Sequence, residues 1–361
     1  MKRWISGAAA VLMAAALILP CRAISARSAV VMDAQTGRIL YERSPRQRSL
    51  IASTTKIMTA LLICEQCNVL DQMRIPQEAV GIEGSSMYLQ EGEVLTLQEL
   101  LYGLMLHSGN DAAVALAIYC GGTVAGFVDL MNDRSRVLGL TGTHFANPNG
   151  LDDPEHYSTA RDLAVLAAVA MDNPIFAKTV STKTVTVGSR RLRNHNKLLW
   201  QVEGADGVKT GYTKAAGRIL VSSATRQDRR IVAVTIHDPD DWRDHAVLLE
   251  EAFSGYRMRQ VVRGGQVLGT TEVLGGTART VSLIAEDDFS CLLALGEKPE
   301  ILLPGPGFLY APVAEGQSAG TALIRLGGRT VGRVNVVCGE TVEQAKEETR
   351  SLWDRLWRRT S

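Results

Sequence analysis

The sequence predicts an α/β chain: an antiparallel sheet flanked by helices, with a helical insert, followed by a small all-β sandwich. Three observations predict it. Up to about residue 255, apolar helical runs alternate with strand pairs joined by short turns, and the stretch near 60–175 reads as helix alone. After Tyr256 the texture changes to short β-branched runs separated by Gly-Gly and Pro-Gly turns. At 361 residues the chain also exceeds the roughly 250–300 residues at which one core stops growing, so two domains are expected.

In chain order, Lys2 and Arg3 precede the apolar segment 8–19 and then Pro20, Cys21, Ala23 and Ala26, which reads as a secretory signal over 1–26. That apolar segment is too short to span a bilayer comfortably. Pro20 directly before Cys21 does not suit lipoprotein processing. Residues 29–33 and 38–42 read as a hairpin about Gln35-Thr36-Gly37, and 57–63 as an apolar helix. Thr96-Leu97-Gln98-Glu99 is a capping box that opens a helix through Leu100, Leu101, Leu104 and Met105. Residues 111–119 and 160–171 are further helical runs, the second capped by Ser158 or Thr159. Residues 219–224 and 231–236 alternate as strands, and 246–253 forms a closing helix of a first domain over 27–255.

A second domain over 256–340 carries strand runs at 279–284, 291–295, 322–326 and 333–337. Gly264-Gly265 and Gly275-Gly276 read as hairpin turns, since no helix follows to make a phosphate loop. Over 341–361 an amphipathic helix is expected, with Val342, Ala345, Thr349, Leu352, Trp353, Leu356 and Trp357 in a stripe about 140° wide. Its tryptophans lie beside Arg350, Arg355 and Arg358, which suits a membrane interface; a helix docked on its own domain is the alternative.

Composition removes several functions. Thirty-nine basic and 38 acidic side chains nearly balance, and no basic stripe interleaved with aromatics points to nucleic acid. Beyond the signal, Cys64, Cys67, Cys120, Cys291 and Cys338 are odd in number and cannot all pair. Cys64-Glu65-Gln66-Cys67 has no second pair or His cluster and reads as buried free thiols, while pairing of Cys291 with Cys338 stays open. His237, Asp238, Asp240, Asp241, Asp244 and His245 lack metal-ligand spacing, so neither metal nor cofactor is expected.

The chemistry sits in three motifs. In Ser53-Thr54-Thr55-Lys56, helical spacing puts Lys56 within reach of the Ser53 hydroxyl. A serine hydroxyl attacks an amide near neutral pH only if a base takes its proton, and Lys56 is the nearest base. It must be neutral to act, and lowering a lysine from near 10.4 to about 7 destabilises the ammonium by roughly 4 kcal/mol. Burial and a second cation, Lys209, would supply that. Ser53 alone also fits a helix N-cap, and Lys56 a solvated helix face. Ser108-Gly109-Asn110 and Lys209-Thr210-Gly211, following in order at spacings of about 50 and 100 residues, complete the signature of class A β-lactamases and penicillin-binding proteins.

The chain resembles the low-molecular-mass penicillin-binding proteins that act as D-alanyl-D-alanine carboxypeptidases. Besides the three motifs, the resemblance runs through Ser28 to Ala34, Gly37 to Tyr41, Asn147-Pro148-Asn149-Gly150-Leu151, His156 to Asp162 and Gly207 to Thr213, covering about residues 28–255. It implies a β-lactamase/transpeptidase-like fold, peptidoglycan pentapeptide stems as substrate, β-lactams as covalent inhibitors, and attachment at the outer face of the cytoplasmic membrane through the C-terminal helix. It also implies roles: Ser53 attacks, Lys56 takes its proton, Ser108 relays a proton to the leaving amine, and Asn110 holds the substrate amide. Backbone N–H groups of Ser53 and Tyr212 would form the oxyanion hole, with Lys209, Thr210 and Gly211 at the substrate's terminal carboxylate. Arg218 and Arg243 are the candidates for a second cation there, because relatives carry an arginine where this chain has Asp241. A β-lactamase would need a glutamate to activate water, for which only Glu155 is a loop candidate. A non-catalytic envelope adaptor would not need the intact motifs.

Overall fold

The computed structural model describes residues 24–305 and 307–346. The chain divides into two compact units, one of residues up to 34 with 41–248, the other of 35–40 with 249 onward.

The first unit is organised on a five-stranded sheet ordered β2-β1-β9-β8-β7, from β1 (Ser28–Asp33), β2 (Ile39–Arg43), β7 (Ala205–Thr213), β8 (Gly217–Arg226) and β9 (Arg229–Ile236). Antiparallel register puts Val31 opposite Ala233, and Val221 opposite both Val234 and Lys209. Between β2 and β7 lie α1 (Lys56–Gln66), β3 (Gln72–Arg74), β4 (Val94–Thr96), α2 (Leu97–Leu106), α3 (Asn110–Gly121), α4 (Val124–Val137), α5 (Ala160–Asp172), α6 (Pro174–Ser181), β5 (Thr184–Val187), β6 (Arg190–Arg193) and α7 (Leu198–Gln201). Helix α8 (Asp241–Gly255) follows β9. The expected helical insert is thus interrupted by two small two-stranded sheets, β3-β4 and β5-β6.

Local sequence explains the helices that place the site. Every residue of α1 from Lys56 to Ile63 is buried, the mark of a helix that is apolar on all sides and runs through a core. Thr96 Oγ1 accepts from the Glu99 N–H and Glu99 Oε2 accepts from the Thr96 N–H, so the expected capping box starts α2. Thr159, not Ser158, caps α5 by accepting from the Asp162 N–H. In α3, Ala112, Ala113, Ala115 and Ala117 are fully buried, and these small side chains let the helix pass close to its neighbours.

The second unit contains β10 (Tyr256–Val262), β11 (Val267–Leu274), β12 (Thr280–Ala285), β13 (Phe289–Ala294), β14 (Glu300–Leu302), β15 (Phe308–Tyr310), β16 (Ser318–Leu326) and β17 (Arg329–Cys338). Strands β10 and β13 pair with each other, and the other six form a sheet ordered β14-β16-β17-β12-β11-β15. Val262 from the small sheet packs with Ala285, Ile324 and Val334 from the large one, which is the sandwich core. Gly275-Gly276 lies in the β11-β12 hairpin; Gly264-Gly265 is a turn between strands of different sheets.

Two expectations change here. Residues 341–346 are not helical: Val342 is buried in the β core and bridges Val313, and Gln344 bridges Gly276. The rest of the expected C-terminal helix and residues 1–23 of the expected signal lie outside the described residues, whereas 24–26, expected to belong to that signal, are packed into the first unit, with Ala26 fully buried and Ser25 Oγ donating to Asp244 Oδ2 at 3.0 Å. All five described cysteines are free; Cys291 and Cys338 are buried, but Cys64, Cys67 and Cys120 are only half-buried. Burial pushes the Cys64 thiol up to about 12.

Candidate active site

Ser53 is not a helix N-cap. It lies in a 3-10 turn, Ala52–Thr55, that runs into α1 at Lys56. Residues i and i+3 eclipse in such a turn, and Lys56 Nζ stands 3.0 Å from Ser53 Oγ. Ala52 holds φ +46°, a left-handed conformation costly for a side chain and found where surroundings over-determine the backbone.

Several contacts enforce this turn. Thr54 Oγ1 donates to the Ile51 carbonyl at 2.6 Å and Thr55 Oγ1 to the Ala52 carbonyl at 2.9 Å. His156 Nδ1 accepts from the Ala146 N–H at 3.0 Å, which leaves its Nε2 to donate to Thr55 Oγ1 at 2.6 Å. Burial holds this imidazole neutral, its pKa lowered to about 4. From the other side the loop Asn147 to Leu151 presses on the turn. Gly150 has φ +89°, and a Cβ there would stand 1.9 Å from the Ala52 carbonyl oxygen. Gly150→Ala is therefore expected to cost about 3 kcal/mol or more in urea unfolding. Gly188→Ala, at φ +56° with nothing within 4 Å, should cost only about 1 kcal/mol.

Lys56 is fully buried and makes three contacts: Ser53 Oγ, Asn110 Oδ1 at 2.7 Å and the Asn149 carbonyl at 2.6 Å. Burial pulls its pKa well below the ordinary lysine value, Lys209 lowers it further, and Asp111 opposes them. Lys209 sits on β7, buried, with Nζ donating to the Thr210 carbonyl at 3.0 Å; burial lowers it to about 7.

Asn110 opens α3 with Oδ1 taken by Lys56 and Nδ2 donating to the Glu83 carbonyl at 2.5 Å. That arrangement fixes Lys56 and uses one Oδ1 lone pair and one Nδ2 hydrogen of the Asn110 amide. Asp111 accepts from Ser86 Oγ and from the Met87 and Leu89 N–H groups, which ties the loop carrying Ser85 to α3. Ser108 follows α2 with φ +63°.

These elements surround a cleft of about 290 Å³ lined by Ser53, Ser85, Ser108, His195, Thr210, Gly211, Tyr212, Arg218, Asp241 and Trp242. Lys56, Asn110 and Lys209 lie behind its wall. At Gly211 a Cβ would come within 3.3 Å of the Ser53 nitrogen, so the glycine lets β7 approach the nucleophile turn. Tyr212 exposes 65% of its surface.

The two arginines separate. Arg218 Nη2 contacts Asp241 Oδ1 at 2.7 Å and Oδ2 at 2.9 Å, with its guanidinium over the Trp242 ring. Arg243 is exposed, pairs with Asp240 one turn away and does not line the cleft. Sequence reasoning missed Asn149, whose contribution is a backbone carbonyl, together with Ser85, His195, Trp242 and the clamps Asp111 and His156. Only the Asn-Pro-Asn-Gly and His156 motifs signalled that part of the wall. Of the acid-rich loop, His245 is buried between Ser222 Oγ and Thr235 Oγ1, its pKa lowered to about 3 by burial.

The sequence pattern of the peptidase family described as D-alanyl-D-alanine carboxypeptidase matches residues 14–240. The chain belongs to that family. The C-terminal domain pattern of penicillin-binding protein 5 matches residues 256–344, so the carboxypeptidase family's second domain is present too. Among curated family members, the chain is 33% identical to D-alanyl-D-alanine carboxypeptidase DacF of Bacillus subtilis, over 89% of this chain and 86% of that protein. It is 31% identical to DacC of Escherichia coli, over 92% and 87%. Of solved structures, penicillin binding protein 5 from Haemophilus influenzae aligns with a TM-score of 0.71 at 32% identity, covering 89% of this chain and 98% of that one.

Proposed function

We propose that this family member is a serine D-Ala-D-Ala carboxypeptidase that removes the terminal D-alanine of peptidoglycan pentapeptide stems through an acyl-enzyme on Ser53, and that β-lactams acylate the same oxygen. The observation that carries this reading is the set of contacts around Lys56. A neutral amine has two N–H bonds and one lone pair. The Asn110 and Asn149 carbonyl oxygens accept both N–H bonds, so the lone pair is left for the Ser53 hydroxyl proton.

Ser53 Oγ attacks the carbonyl between the two terminal D-alanines as its proton passes to Lys56 Nζ. Backbone N–H groups of Ser53 and Tyr212 hold the oxyanion, each worth ~3–4 kcal/mol in the transition state; the close approach of β7 to the Ser53 nitrogen supports this pairing. Ser108, facing the cleft, passes a proton to the departing D-alanine amine, and water then cleaves the ester. Thr210 and Arg218 face the substrate's terminal carboxylate, Arg218 being steadied by Asp241 and Trp242. Lys209 contributes its charge from behind the wall. Asn110 positions Lys56.

Fast β-lactam hydrolysis is disfavoured. Among the described residues lining the cleft the one carboxylate is Asp241, which is paired with Arg218, and Glu155 is exposed and away from the cleft. The buried, converging motif residues equally disfavour a pure adaptor.

The reading places the enzyme outside the cytoplasmic membrane, exported by the N-terminal segment that precedes Ile24, the first residue packed into the fold, and held at the outer face by the tail. Among the described residues no single helix is long and apolar enough to cross a membrane. Trp353, Trp357, Leu352 and Leu356 each contribute ~1.5–3 kcal/mol if inserted, and nearby arginines roughly 1 kcal/mol apiece at anionic lipid. Truncation after Lys346, which spares the buried Val342, is expected to release mature protein from anionic liposomes with turnover of a soluble pentapeptide unchanged. Full-length mature protein that ignores the liposomes would contradict this attachment.

A further inference from the structure

Two buried carboxylates lie side by side in the first unit with no cation against them. Asp238, in the loop after β9, is fully buried, and Asp244, in the first turn of α8, is 4% exposed. The Ser25 hydroxyl is shared by Asp238 Oδ1 at 2.5 Å and Asp244 Oδ2 at 3.0 Å, which makes the two groups neighbours. Neither forms an ion pair with a lysine or arginine among the described residues, and Asp238 Oδ2 is buried without a hydrogen-bond partner among them. Burial raises the Asp238 carboxyl above its usual range against hydrogen bonds from Ser25 and Thr235, and Asp244 adds to the rise. The cations nearby are engaged elsewhere or face water: Arg43 Nη1 donates to the Ile24 carbonyl at 2.9 Å, Arg218 holds Asp241, and Arg27 and His237 are exposed.

What does reach the pair is the start of the described chain. The Ser25 N–H donates to Asp244 Oδ2 at 2.5 Å, and the Asp240 N–H donates to Ser25 Oγ at 3.2 Å. Ile24 is 6% exposed and Ala26 is fully buried, so their side chains anchor this end. The Ile24 nitrogen is one residue, a Cα step of about 3.8 Å, from the Ser25 nitrogen that already touches Asp244. An amide N–H at Ile24 brings one hydrogen and no charge. A free α-ammonium there brings three donors and the missing positive charge. Small residues, Cys21 and Ala23, stand third and first before Ile24, the pattern that a signal-processing cut requires.

We infer that the export segment is cut between Ala23 and Ile24, and that the α-ammonium so released docks against Asp238 and Asp244 as a buried ion pair. The inference rests on the proposed export of the chain. In the cut, water breaks the Ala23–Ile24 C–N bond; its oxygen ends in the Ala23 carboxylate and both its protons on the Ile24 nitrogen. A cut after Ala26, as expected from the sequence, would remove Ser25 and leave both carboxylates buried without it. The docked end also braces one edge of the cleft. The Asp238 N–H donates to the Arg218 carbonyl at 2.9 Å, and Asp241, which follows in the chain, holds the Arg218 guanidinium.

N-terminal sequencing of the full-length chain exported by a bacterial host should read Ile24 first. The mature chain with that authentic end, released from a removable fusion, is then compared with the same chain carrying Gly-Ser before Ile24. The extension should lower the melting temperature by about 5 °C or more, as loss of a buried ion pair does in a chain of this size. With Asp244→Asn in both forms, the extension should cost less than about 2 °C. A chemical readout needs no substitution: acetic anhydride should label the α-amine of the folded authentic chain at least about tenfold more slowly than that of the urea-unfolded chain, whereas the Gly-Ser amine reacts alike in both. A mature chain beginning at Arg27 or any other residue, equal melting temperatures, an extension cost that Asp244→Asn leaves unchanged, or a freely reactive Ile24 amine overturns the docking. Failure of the export reading would appear differently, as a chain that stays inside the cell and still begins at Met1, and would overturn both.

Discussion

Ser53→Ala is expected to abolish both penicillin labelling and D-alanine release, lowering turnover by ~10⁴–10⁶-fold, or about 5–8 kcal/mol of barrier. The fold should survive. The turn is fixed by Thr54, Thr55 and the His156 contact, none of which uses the Ser53 hydroxyl. Circular dichroism and thermal unfolding of the variant check that point, and covalent labelling that persists in it would place the nucleophile elsewhere.

Lys56→Arg is expected to be nearly as damaging even though it keeps a cation, because guanidinium does not deprotonate in the working range. The bulkier group also has to fit a fully buried site already occupied by Asn110 and Asn149. In the native enzyme the sign of the pH dependence follows from which form works. In the proposed mechanism Lys56 acts when neutral, so acylation should rise with pH through its depressed pKa. Lys209→Gln removes a charge that helps keep that pKa low and should therefore move the rising limb to higher pH. Stopped-flow acylation by a chromogenic penicillin across pH measures both effects. An active Lys56→Arg enzyme, or a limb that moves to lower pH, would make Lys56 an electrostatic partner and not the base.

Much of the site was legible because its chemistry is tied to residue type at fixed spacing. Ser53 with Lys56, Ser108 with Asn110, and Lys209 with Thr210 and Gly211 meet as their order implied. What stayed hidden has physical reasons. Asn149 supplies a carbonyl that any residue possesses, and the contacts of the Asn110 amide with Lys56 and Glu83 could not be read from its letter. Arg218 and Arg243 were equivalent as letters. They are separated by the start of α8, which turns Asp241 toward Arg218 and leaves Arg243 exposed beside Asp240.

The fold shows the same division. Strongly patterned strands such as β8 and β9 were recognisable, whereas β7 was not, its run interrupted by Gly207 and Gly211 at the place where the backbone must approach the nucleophile turn. Helix α4 was missed because only Phe127, Met131 and Ser135 of its 14 residues are buried, a stripe too narrow to stand out among its charges. The end of the β domain was misplaced because Val342 fits a helical stripe as well as it fits the β core that buries it.

The central claim is that Ser53, with Lys56 as its base, forms an acyl-enzyme that water resolves into a carboxypeptidase cycle. Mass spectrometry of the mature protein tests it most directly, first with a penicillin and then with a pentapeptide ending in D-Ala-D-Ala. The account predicts a long-lived adduct of one penicillin on the peptide containing Ser53, and release of a single D-alanine from the pentapeptide. Rapid penicillin turnover with the pentapeptide left intact, or an adduct on any other residue, would contradict it.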